Sequence, residues 1–129
     1  MPNLFTSVSA GSSANFNRLL YAGGSKTGVK VVYARVRYNG TTWEVHSSTD
    51  SAELVSGNLS FSSGVLTVTL SGYTVTPLAH GTPTIAGGLL PFAVGTAAST
   101  VQVRWYDFAG ALQTSASTNH DANLTIRGV

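Results

Sequence analysis

The sequence predicts an all-β fold, an antiparallel sandwich or jelly roll. Short runs rich in Val, Thr, Tyr and Ile recur along the chain and alternate apolar with polar side chains. Gly, Asn, Asp and Ser separate these runs at the positions where tight turns belong. No segment of useful length carries helical periodicity, and eight to ten short strands at turn spacing are the mark of a sandwich. The length of 129 residues fits one domain with a real core. We divide it into an extended N-terminal arm over residues 1–28 and a β-sandwich domain over residues 29–129.

The arm is rich in Ser, Gly, Asn and Ala, and Leu4, Phe5, Phe16, Leu19, Leu20 and Tyr21 punctuate it at irregular spacing. Those apolar residues are anchors that a purely floppy leader would lack, so the arm is expected to lie extended over its own domain or a neighbour; the alternative is a disordered leader. Met1-Pro2-Asn3 opens without a charged leader and a long apolar run, so no secretory signal is expected.

Val29 to Tyr38 and Thr41 to His46 flank Asn39-Gly40, a strong hairpin signal. A two-residue loop there sets Tyr38 opposite Thr41, Val36 opposite Trp43 and Ala34 opposite Val45. On the other face it pairs Arg37 with Thr42, Arg35 with Glu44 and Tyr33 with His46. A second hairpin joins Asn58–Ser62 to Val65–Leu70 through Ser63-Gly64, with Phe61 opposite Leu66 and Leu59 opposite Val68. Its outward residues Ser60, Thr67 and Thr69 are hydroxyls where a soluble monomer often uses Lys or Glu. Tyr73–Thr76 reads as a strand ended, or held at an edge, by Pro77. Residues 78–83 read as a loop, Thr84-Ile85-Ala86 as a short strand, and 89–94 as an apolar run broken by Pro91. From Thr100, Val101, Val103 and Trp105 share one face, while Gln102, Arg104 and Tyr106 share the other. Asp107–Gly110 is a turn, Ala111–Thr114 a short return strand, and Leu124–Ile126 the core of a last strand ending at Gly128.

Charge is the unusual feature. Between Glu53 and Arg104 there is no Asp, Glu, Lys or Arg, and charged residues make up only 9% of the chain, against roughly 25% in an average domain. Charged side chains are how free-standing β-proteins protect sheet edges and stay soluble. A stretch that omits them is expected to be covered by something else. It is no membrane span, being dense in Ser, Thr and Gly and broken by Pro77, Pro83 and Pro91. The basic residues form no run, so no nucleic-acid partner is expected.

Little in the chain points to chemistry. There are no cysteines, hence no disulfide or thiolate site. His46, His80 and His120 show no ligand spacing and read as polar surface or loop residues; His120-Asp121 are strand neighbours that would point to opposite faces. Of the five acids, Glu44 is matched to Arg35 and Asp107 belongs to a turn. Ser abundance without G-x-S-x-G is composition. No enzyme activity, metal or cofactor is expected. Exposed Tyr33, Tyr38, Tyr73 and Tyr106 are candidates for stacking on a sugar, against packing or subunit contact as the alternative.

Val101-Gln102-Val103-Arg104-Trp105-Tyr106-Asp107-Phe108-Ala109-Gly110-Ala111-Leu112 and Asn123-Leu124-Thr125-Ile126-Arg127-Gly128 resemble the terminal strands of small β-domains in tailed-bacteriophage virion proteins. The Tyr33–Trp43 hairpin and the charge-poor composition are similar to them too. The chain departs from the long fibres in lacking a repetitive shaft. The resemblance implies a jelly-roll-like domain, commonly trimeric, in a virion: a capsid decoration (cement) protein, a head fibre or a tail-fibre component, with no catalytic residues. The expected partners are further copies of the chain, meeting at Ser60, Thr67 and Thr69, and a major capsid or other virion protein held by the arm. The alternative is a fibre-tip module binding a receptor or host glycan through surface tyrosines and loops near His80 and His120.

Overall fold

The computed structural model describes residues 29–49, 54, 56–85 and 88–129, so the arm and its six apolar anchors lie outside the described residues. Eight strands follow one another: β1 (Lys30–Tyr38), β2 (Trp43–Ser48), β3 (Leu59–Ser62), β4 (Val65–Thr69), β5 (Leu78–Pro83), β6 (Leu90–Ala97), β7 (Thr100–Tyr106) and β8 (Asp121–Gly128). They make two antiparallel four-stranded sheets, sheet I in the order β2-β1-β8-β5 and sheet II in the order β3-β4-β7-β6. The fold is the all-β antiparallel sandwich read from the sequence. A jelly roll would nest its strands as first with last, second with next to last, and so on. Only β1 beside β8 follows that rule here, so the strand order does not carry the jelly-roll refinement.

Period-two alternation places the core between the sheets. Val32, Ala34 and Val36 of β1 and Ala122, Leu124 and Ile126 of β8 point inward from sheet I. Leu66 and Val68 of β4 and Val101, Val103 and Trp105 of β7 meet them from sheet II. At one end Trp43 bridges the sheets, its ring 4.8 Å from Phe61 and 5.3 Å from Trp105.

The second hairpin has the expected register, Leu59 opposite Val68 and Phe61 opposite Leu66. Ser63 and Gly64 both take positive φ, at 52° and 84°, as a two-residue primed turn requires. The first hairpin is shifted by two residues. Tyr38 faces Trp43, Arg37 faces Glu44 and Val36 faces Val45, while a bulge between Arg35 and Val36 puts His46 out of register. The reason is local: Asn39 stays at negative φ and its side-chain oxygen accepts hydrogen bonds from the backbone N–H groups of Thr41 and Thr42. That makes a four-residue loop. A shift of two keeps the side chains between the turn and the bulge on their faces, so the apolar and polar faces stand there while the ion pair moves. Glu44 pairs with Arg37, not Arg35.

Four further expectations are corrected. Residues 78–83 form strand β5, not a loop, and Thr84-Ile85 is no strand. Pro83 ends β5, and Pro91 lies inside β6; both strands are sheet edges, where one side has no ladder bonds to lose. Tyr73–Thr76 is a loop whose Thr74 and Val75 N–H groups donate to the Val129 carbonyl. The return strand at 111–114 shrinks to one bridge, Tyr106 with Leu112. In β6, Gly95 is required by packing: a Cβ there would lie 1.9 Å from the Pro77 carbonyl oxygen.

Candidate functional site

The two outer faces of the sandwich differ in chemistry. The strands of sheet I carry Lys30, Arg35, Arg37, Glu44, Asp121 and Arg127, whereas those of sheet II carry Arg104 as their one charged residue. On sheet II the alternation sends Ser60, Thr67 and Gln102 into one cross-strand row and Thr69 and Thr100 into the next. The three residues expected at a subunit interface therefore share one face. Ser60 and Thr69 are exposed and Thr67 is half-buried.

The same face turns apolar toward β6. A shallow groove of about 600 Å³ is lined by Leu90, Phe92, Val94, Arg104 and Tyr106, and Phe108 of the Asp107–Gly110 turn forms its wall at one end. Phe92 is 62% exposed and meets Tyr106 edge to face at 5.5 Å; Phe108, at the turn, is 74% exposed. Arg104 sits across the strand from Phe92, its guanidinium donating to the Gln102 side-chain oxygen at 3.0 Å. Sequence reasoning missed this patch. The available signal was Phe108 itself, an aromatic at a turn where polar residues normally stand.

On sheet I the charges are largely paired. Both Asp121 carboxylate oxygens accept from Arg35, at 2.9 and 2.7 Å, and Glu44 accepts from Arg37. Burial alone would raise the Asp121 carboxyl. The Arg35 hydrogen bonds and the nearby guanidinium charges more than offset that, holding it below the ordinary range. The Arg37 hydrogen bond holds Glu44 low as well. Beside these pairs lies a polar hollow of about 470 Å³ containing Tyr33, Arg35, Ser47, Thr49, Asn123 and Thr125.

His120 is not a surface histidine. It is 1% exposed, boxed by Trp105 at 5.2 Å, Trp43 at 5.8 Å and Phe61 at 5.9 Å. Its Nδ1 accepts from the Ser117 backbone N–H, which puts the proton of the neutral ring on Nε2, among the aromatic rings. Burial pushes its pKa below the ordinary value, against the opposing pull of the Gln113 and Ser117 backbones. Enclosed in this way, His120 is not presented to any ligand, and it does not join His80, which is exposed on β5. Of the four tyrosines, Tyr73 is buried, Tyr38 packs on Trp43, Tyr106 lines the groove, and Tyr33 stands 55% exposed in the polar hollow. Among the described residues no three His, Asp or Glu side chains gather as a metal site.

The chain matches no family model, no curated protein and no solved structure.

Proposed function

We propose that this chain is a non-enzymatic structural subunit of a phage particle, a capsid decoration protein that self-associates, as a trimer, through the outer face of sheet II. The segregation of charge supports this reading: one sandwich face carries ion pairs, and the other carries hydroxyls, exposed aromatics and a single arginine. A sheet face of this kind suits burial, because Arg104 is the one ion on its strands that need be desolvated. In this reading Ser60, Thr67 and Thr69 meet the neighbouring copy. The anchors Leu4, Phe5, Phe16, Leu19, Leu20 and Tyr21 hold the major capsid protein or another virion protein. Light scattering on the full chain tests it. An oligomer that Thr67→Lys dissociates is expected, and a stable monomer would contradict the proposal. Removing residues 1–21 is expected to abolish attachment to the particle while the sandwich still folds.

Exposed Tyr33 in its polar hollow favours a second reading, a fibre-tip module for a receptor or host glycan. A saccharide ring would stack on Tyr33 while Ser47, Asn123 and Thr125 reach its hydroxyls. A glycan screen with binding lost in Tyr33→Ala would establish it; no binding across the screen would remove it.

A further inference from the structure

We propose that the groove on sheet II receives the Phe108 ring of a second copy of this chain. The inference rests on the self-association reading and names the contact that drives it.

Phe108 is a prepared knob. Asp107 Oδ1 accepts from the N–H groups of Ala109 and Ala111, both at 2.9 Å. Asp107 Oδ2 accepts from the Gln113 amide, and the backbone bonds Asp107 N–H to Ala111 and Gly110 N–H to Asp107 close the turn. A backbone so braced holds the ring 74% exposed, and little further freedom is lost when it docks.

The groove offers what such a ring needs. Phe92 and Tyr106 are already set edge to face, with Val94 beside them 49% exposed. Arg104 has no carboxylate partner among the described residues, whereas Arg35 and Arg37 each have one. An aromatic ring entering beside Phe92 would lie near that guanidinium and gain a cation–π contact. One contact thus accounts for the exposed Phe108, the exposed Phe92 and the uncompensated arginine.

The area also fits. Phe92, Val94 and Phe108 leave on the order of 350 Å² of apolar surface open, taking about 200 Å² for an aromatic side chain. A patch that size already matches the largest on a typical monomer. The adjoining hydroxyl strands extend the face toward the ~800 Å² per partner of a stable interface. A second copy is the occupant because knob and groove lie side by side on one face. Each copy gives one ring and receives one, which lets every knob and groove be filled in a closed assembly.

The test is sedimentation equilibrium on the full chain, with Phe108→Ser removing the knob and Val94→Arg blocking the groove. Both positions are exposed, and unchanged melting curves would show that the variants fold. Each variant alone is expected to associate about tenfold more weakly or worse. Mixing them should recover part of the association, because Phe108→Ser keeps the Phe92–Tyr106 floor of the groove, though it loses one wall, and Val94→Arg keeps the knob. If Phe108→Ser associates like the wild type while Thr67→Lys does not, this contact is wrong and self-association stands. Loss in both variants without recovery on mixing assigns the groove to another occupant and overturns the inference. A wild-type monomer throughout removes both proposals.

Discussion

His120 sits where a wrong protonation state has nowhere to go. Its Nδ1 is committed to the Ser117 N–H, and its other edge faces Trp43, Phe61 and Trp105. Because burial lowers its folded pKa, the unfolded chain takes up the proton first. Its stabilising contribution is complete above the unfolded value of about 6.5 and is lost progressively as pH falls below that, toward the folded pKa. The melting temperature should therefore drop between neutral pH and mildly acidic pH, and His120→Asn should flatten that slope. Asp121 adds a second loss at lower pH. Its pKa is also lowered, so its contribution is present above the unfolded value near 3.8 and disappears as pH falls through the folded one. The Arg35–Asp121 pair is unequal, with Arg35 31% exposed and Asp121 only 4%. Arg35→Met strands a buried carboxylate and should cost about 3 kcal/mol. Asp121→Asn leaves an arginine that water can reach, and should cost nearer 1 kcal/mol. Urea unfolding of the two variants checks the order.

The two hairpins show at the scale of elements what a short motif can specify. Ser63-Gly64 forms the primed two-residue turn, and every expected pair follows. Asn39-Gly40 belongs to a longer loop, because the Asn39 side chain captures two backbone N–H groups at negative φ. Both conformations suit the dipeptide, and the two bonds to the Asn39 side chain favour the longer loop, which sets Trp43 opposite Tyr38. The face pattern was legible regardless, since a two-residue shift preserves it. Gly64→Ala should cost at least 1 kcal/mol, its Cβ being 3.1 Å from the Gln113 carbonyl at a φ of +84°. Ser63→Asn should raise stability by a few tenths of a kcal/mol, since Asn accepts positive φ more readily. Melting curves of both variants check these. The strands containing Pro83 and Pro91 were harder to read, because a proline excludes a central strand but permits an edge, and edge position is a property of the sheet.

For the molecule as a whole, the charge-free interval takes on a direction. Of the five strands it contains or enters, β3, β4, β6 and β7 make sheet II, and only β5 joins sheet I. If copies meet through that neutral face, their association should change little between low and high ionic strength; a contact through sheet I would weaken as salt rises. Sedimentation at two salt concentrations distinguishes them. Composition, alternation and turn residues were enough for the all-β sandwich, the inward rows of β4 and β7, and the hydroxyl face of Ser60, Thr67 and Thr69. Those are local properties, set by a period of two and by turn chemistry. The tertiary structure alone decided that Arg35 reaches Asp121 across 86 residues, that His120 closes the aromatic end of the core, and that Phe92 and Phe108 flank one groove. Each depends on which strands become neighbours, and strand order is set by the packing of the whole core, which no short stretch of sequence encodes.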